Sequence, residues 1–127
     1  MTSIKRFLLS LCAVFFILLP SCVSSSKSAL VLYKAGTYEG IGDGFQGPIR
    51  LRVTVSSQAI TNIEVIEHRE TPGLGSAAIE ELTDAVLDVN STDVDSVSGA
   101  SASSNGFLSA LEDALLKAKP DNFRSSN

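Results

Sequence analysis

The segment Ile49-Arg50-Leu51-Arg52-Val53-Thr54-Val55 alternates apolar and polar residues without a break. Successive side chains of a strand point to opposite faces. A half-buried β-strand therefore gathers Ile49, Leu51, Val53 and Val55 into a core and leaves Arg50, Arg52 and Thr54 in water. Upstream, Gly36–Phe45 alternates glycine with larger residues, and Thr37 and Tyr38 favour a second strand. Its glycines mark bulges or places where another backbone or a ligand comes close. Gln46-Gly47-Pro48 is a turn, and Ser56-Ser57-Gln58 leads back into a third strand over Ala59–His68. There Ile63 and Val65 share a face with Thr61 and Glu67 while Ile60 and Ile66 share the other, which predicts a strand partly covered on both sides. The first half thus reads as an antiparallel meander. Ala29–Tyr33 is either a further strand or a segment packed on the edge of the fold.

Helical spacing takes over after the loop Glu70-Thr71-Pro72-Gly73-Leu74-Gly75. Ser76 precedes a helix over Ala77–Val89, with Ala78, Leu82, Val86 and Val89 on one side and Glu80, Glu81, Asp84 and Asp88 in solvent. Phe107, Leu108, Leu111, Leu115 and Ala118 mark a last helix, capped at its start by Ser103 or Ser104 and stopped by Pro120. Strands first and helices after predict an α+β domain, a small antiparallel sheet with two helices packed on one face. The domain spans 34–119, followed by a frayed tail over 120–127.

The N-terminal region has a different character. Lys5 and Arg6 precede the apolar run Phe7–Leu19, too short for a comfortable membrane span, so residues 1–21 read as a secretory signal. The run ends in Leu19-Pro20-Ser21-Cys22, which resembles the bacterial lipobox, with Pro20 an unusual middle residue. Of the two cysteines, Cys12 leaves with the leader and Cys22 has no disulfide partner. Acylation of Cys22 explains a lone cysteine at the head of residues 22–33, a lipid-anchored tether (Ser-rich over 23–28) and lead-in. This predicts a protein of the cell envelope, lipid-anchored to a membrane and facing the extracytoplasmic side. The net charge of −4 becomes more negative once Lys5 and Arg6 are removed. No basic footprint for nucleic acid exists.

Most catalytic sets are excluded by what the chain lacks. His68 is the only histidine and no thiol remains near it, so Cys–His chemistry and His/Cys metal sites are ruled out. No Gly-x-Ser-x-Gly elbow, P-loop or dinucleotide fingerprint is present. Asp93 and Asp95 are better caps than chelators. The run Asp95-Ser96-Val97-Ser98-Gly99-Ala100-Ser101-Ala102-Ser103-Ser104 remains. Small residues admit another surface, hydroxyls supply hydrogen bonds or a nucleophile, and the following helix start favours an anion. The same run also reads as a plain helix-capping loop, and composition alone leaves both readings open.

Three motifs in one order carry a resemblance over Lys34–Lys119. They are Gly36-Thr37-Tyr38-Glu39-Gly40 with Gly44-Phe45-Gln46-Gly47-Pro48-Ile49, then His68-x-Glu70-Thr71-Pro72-Gly73-Leu74-Gly75, then Asp95-x-x-Ser98-Gly99-Ala100-Ser101-x-x-Ser104. Together they resemble the FMN-binding domain family, whose members include the covalent-flavin subunits of sodium-pumping NADH:quinone reductase and Rnf-type complexes, and stand-alone bacterial lipoproteins. The resemblance implies an electron carrier more than a stand-alone enzyme, working with membrane redox partner proteins. It implies FMN linked by a phosphoester to the Ser101 hydroxyl, donated from FAD by a magnesium-dependent flavin transferase. Serine stands where threonine is commoner in the family. The resemblance further implies that an exposed Ser101 sits on flexible backbone allowed by Gly99 and Ala100, and that Asp95, Ser98, Gly99, Ala100 and Ser104 serve transferase recognition and loop shape. Glu70, Thr71, Gly73 and Leu74 would lie against the flavin ring, and His68 makes a structural hydrogen bond. The alternative is a flavin-free, or non-covalent FMN, lipoprotein acting as a binding or assembly module.

Overall fold

The structure is a computed structural model that describes residues 31–121. The predicted signal, Cys22 and most of the C-terminal tail lie outside the described residues. Three strands form an antiparallel sheet in the order β1-β2-β3: β1 (Gly36–Asp43), β2 (Pro48–Val55) and β3 (Ile60–Glu67). Two helices follow, α1 (Gly75–Val89) and α2 (Ser101–Ala118). The alternating segment is the central strand, with Ile49, Leu51 and Val53 fully buried. They pack against Ile79, Leu82 and Val86 of α1 and Phe107 and Leu111 of α2, so both helices cover one face of the sheet. On the outer face Arg52 bridges Glu39 of β1 and Glu64 of β3 at 3.1 and 2.9 Å, across the paired register of all three strands. Those two hydrogen bonds hold the guanidinium even more firmly protonated than usual.

The reading of β3 as covered on both sides is corrected by its pairing. Val55 faces Ile60 and Thr54 faces Asn62, so Thr61 is an extra residue and its hydroxyl donates to the Thr54 carbonyl at 3.0 Å. Such a bulge flips the alternation by one residue. Ile60 therefore joins Ile63 on the core side, while Thr61, Asn62 and Glu64 are exposed. A second irregularity lies between the partners of Arg50 and Leu51 and leaves Ile66 exposed. Residues 31–33 form no strand. Leu32 and Tyr33 donate to the Ser57 carbonyl, and Lys34 to that of Ala118, which holds the lead-in on the edge of the fold.

The glycines of β1 serve the approach of another backbone. Gly40 and Gly42 face inward, opposite Leu51 and Ile49. A Cβ on Gly40 would collide with the Ala110 carbonyl, and one on Gly42 with that of Gly106. Gly106, Ala110 and Ala114 recur every four residues, so α2 presents a stripe of small residues to the bare strand. Its side chains also close the free edge of β1. Asp113 accepts the Ile41 N–H at 3.1 Å, and Lys117 donates to the Glu39 carbonyl at 2.7 Å and to Asp113 at 3.0 Å. Lys117, with the Ile41 N–H, holds the Asp113 carboxyl below its ordinary value of 3.8. The staple is therefore complete above that pH and is lost as the pH falls through the lower folded value. Solvent screens it, since 41% of the Asp113 side chain is exposed.

The seam gives a direct test. Gly42→Val should destabilise the domain by about 3 kcal/mol, the upper end for forcing atoms into a filled contact, measured by urea unfolding. A loss below about 1 kcal/mol would mean that α2 is not held against β1 by this contact.

Candidate functional site

The three motifs meet at one end of the sheet, where the β1–β2 turn, the loop 68–74 and the start of α2 come together. Their junction is the buried carboxyl group of Glu70. One of its oxygens accepts the Gln46 N–H at 3.2 Å, the other accepts the Ser103 hydroxyl, and the Glu70 N–H donates to His68 Nδ1 at 3.2 Å. Gln46 adds a second tie, from its side-chain amide to the Thr71 hydroxyl at 3.0 Å. The junction leaves no room for larger residues beside it. A Cβ on Gly75 would press on Glu70 and the Ser103 hydroxyl, and one on Gly44 on the Glu70 carboxyl.

The serine run is shaped by the same economy of space. Ala100 N donates to the Val97 carbonyl at 3.0 Å, closing a turn in which Gly99 takes φ +83°, the third-position geometry that glycine accepts at low cost. The Ser104 hydroxyl accepts the Val97 N–H at 3.0 Å and donates to the Ala100 carbonyl at 2.8 Å, pinning the turn to the helix. The expected caps are thereby corrected. The helix begins at Ser101 with Ala100 as its cap residue, and Ser103 and Ser104 are buried within its first turn. Ser101 likewise stands on helical backbone instead of a flexible loop, although its side chain is exposed. The first helix begins two residues earlier than its apolar spacing suggests, at Gly75, and Ser76 lies inside it accepting the Gly73 N–H at 3.1 Å.

These segments enclose an open cavity of about 330 Å³, within the range of small-ligand sites. Phe45 comes from the hairpin turn, Thr71, Leu74 and Gly75 from the central loop, and Gly99–Ser103 from the start of α2. Both helices begin on its wall with no side-chain cap and no acidic residue in the first turn. At α1 the Thr71 carbonyl takes the N–H groups of Gly75 and Ser76. At α2 the N–H groups of Ser101, Ala102 and Ser103 have no acceptor among the described residues. Free N–H groups and the positive end of an 18-residue helix favour an anion there. The donor set suits a ligand with one anionic end and an apolar body. It presents helix N–H groups and the Ser101 hydroxyl beside Phe45, Leu74, Ala100 and Ala102.

Of the residues singled out from the sequence, Thr71, Leu74, Gly99, Ala100 and Ser101 line the cavity. Glu70 stands behind its wall. Gly73, with φ +84°, and the exposed Ser98 and Asp95 lie outside its lining, and Ser104 is wholly buried, out of reach of another protein in the folded chain. Phe45, Gln46 and the pairing of Ser103 with Glu70 escaped sequence reasoning. The Gly44–Gly47 turn was a visible signal for the first two. No cluster of three metal-ligating side chains occurs among the described residues. A second cavity of about 380 Å³, lined by Tyr33, Leu115 and Lys119 among others, contains neither a helix N-terminus nor any of the three loops.

Glu70→Ala would leave the buried Ser103 hydroxyl without its acceptor and remove the partner of the part-buried Gln46 N–H. It should cost about 3 kcal/mol of stability, and Glu70→Gln, which keeps an acceptor oxygen, about 1 kcal/mol. Urea unfolding of both variants checks this, and two variants equal to wild type would remove Glu70 from the centre of the site.

The family model described as FMN-binding domain matches residues 44–116, from the hairpin turn to the last turns of α2. The chain is 33% identical over 81 residues to a urocanate reductase of Eggerthella lenta, covering 64% of this chain and 13% of that protein. It is 29% identical over 93 residues to an NADH:acrylate oxidoreductase of Vibrio harveyi, covering 73% and 9%. It is 36% identical over 84 residues to one component of an ion-translocating oxidoreductase complex of Methanosarcina acetivorans, covering 57% and 45%. The chain thus spans less than half the length of each of these relatives. With the matched segment running through all three converging loops, the chain belongs to the FMN-binding domain family.

Proposed function

We propose that the chain is a membrane-tethered, extracytoplasmic flavoprotein that carries electrons through FMN joined by a phosphoester to Ser101. The observation that carries this reading is the position of the Ser101 hydroxyl. It is exposed on the cavity wall at the first residue of α2, beside three free backbone N–H groups. The other serines of the run are poorer acceptors. Ser103 and Ser104 are buried and engaged, and Ser96 and Ser98 lie outside the cavity.

Attachment by a flavin transferase breaks the phosphoanhydride of FAD. The Ser101 oxygen gains the FMN phosphorus, AMP leaves, and the hydroxyl proton is lost. The product phosphodiester retains one negative charge, which the α2 N-terminus stabilises. Asp95, Ser98 and Gly99 are exposed in the segment before the acceptor and available to the transferase. The apolar side chains of Phe45, Leu74, Ala100 and Ala102 would hold the flat part of the cofactor. Bound FMN supplies one- and two-electron transfer. The hydroxyls, backbone N–H groups and apolar side chains that line the cavity are suited to binding and orienting the cofactor. The redox names of the relatives support electron transfer, and the ion-translocating complex among them supports partners in a membrane. The apolar run ending at Cys22 supports an anchor at the cell envelope.

The full chain co-expressed with a flavin transferase should gain the mass of FMN less water and fluoresce in a denaturing gel. Ser101→Ala should do neither. No gain in the wild type beside an active transferase would contradict the covalent reading, and a colourless native preparation would leave the binding module. For the anchor, a radiolabelled lipid precursor should mark the wild type and not Cys22→Ser; equal labelling of both would contradict it.

A further inference from the structure

Phe45 is the most exposed large apolar side chain among the described residues, at 68%. It stands at the tip of the β1–β2 turn, where a polar or small residue would make the same turn. The turn itself is firmly held. Gly44 N donates to the Gly47 carbonyl at 2.9 Å, and Gln46, the next residue, is tied to both Glu70 and Thr71 of the neighbouring loop. Phe45 therefore has little freedom to fold back into the core, and that core is already closed without it. Phe45 lines the same cavity as Leu74, itself 52% exposed at the end of a different loop, where it is the cap residue of α1. Two large apolar groups are thus presented from separate loops around a space floored by buried Ala100 and Gly75.

Resting on the flavin reading above, the geometry points to Phe45 as a flavin-contacting residue that stacks on the isoalloxazine ring and lowers its reduction potential, with Leu74 as a second apolar contact. Phe45 brings to the cavity wall a phenyl ring, which has a flat, electron-rich face. Oxidised flavin is planar and electron-poor, while reduced flavin is electron-rich and bends. An aromatic face therefore binds the oxidised form more tightly, which sets the sign of the shift. The assignment also gives the hairpin motif a task that neither sheet formation nor phosphate binding requires.

The test uses the full flavinylated chain as wild type, Phe45→Ala, Phe45→Leu and, as a control, Ile41→Ala. Ile41 is 48% exposed on β1 and outside the cavity lining. Intact mass first fixes the flavin content of each, and readings are taken per bound flavin. Phe45→Ala should raise the iodide quenching constant of flavin fluorescence about twofold or more, the effect of losing one stacked face. Its midpoint potential should rise. Phe45→Leu should restore part of the protection from iodide but keep the raised potential, and Ile41→Ala should match wild type in both. A Phe45→Ala protein with wild-type quenching and potential overturns the assignment, and a Phe45→Leu protein equal to wild type in both overturns stacking. A wild type that gains no FMN mass overturns the flavin reading and this assignment together, so the two failures are distinguishable.

Discussion

The site depends on one buried carboxyl group. Glu70 receives the Gln46 N–H from the hairpin and the Ser103 hydroxyl from the last helix, while its own loop continues into α1. Three segments far apart in the chain are thereby joined at a point that has no room for anything larger than glycine at positions 44 and 75. Polar groups taken out of water must find partners, so this junction either forms completely or carries a large penalty. The same requirement that makes it costly to break makes it specific. The cavity on its outer side acquires a defined shape because Phe45, Leu74 and Ser101 are each within a few residues of a fixed bond.

The second constraint is distance. A strand with inward-facing side chains would hold α2 away from the sheet. The bare positions Gly40 and Gly42, set against Gly106, Ala110 and Ala114, let backbone meet backbone. Close packing along this seam aims the start of α2 at the hairpin turn, since Gly106 lies against Gly44 and Asp43. Fold and function are coupled in this way: the contact that stabilises the helix also delivers its free N–H groups and the Ser101 hydroxyl to the cavity mouth. The absence of an acid or a side-chain cap from its first turn leaves that positive end open to an anion.

Much of the fold was legible in the residues, and the reasons are local. Strict alternation from Ile49 to Val55 identifies the central strand, and the spacing of Phe107, Leu111 and Leu115 identifies the last helix. The bulge at Thr61 was not legible, because an extra residue in a strand has no compositional mark and depends on a partner's register. The serines show the same limit. As a sequence, Ser103 and Ser104 are good caps, since a hydroxyl before an apolar run usually serves one. Their burial follows from contacts made on folding, Ser103 with Glu70 of the central loop and Ser104 with the turn at Val97. The motif identified the family and lining residues such as Thr71, Leu74 and Ser101. The exposure of Phe45 and the place of Glu70 behind the wall required three dimensions.

The central claim is that the junction around Glu70 presents Ser101 and the start of α2 to a flavin phosphate. A crystal structure of the flavinylated chain tests it most directly. The account predicts density continuous from Ser101 Oγ to phosphorus, with the phosphate oxygens accepting from the N–H groups of the first turn of α2 and the Glu70 bonds to Gln46 and Ser103 intact. A flavin attached at another residue, or a phosphate turned into solvent away from α2, would contradict it.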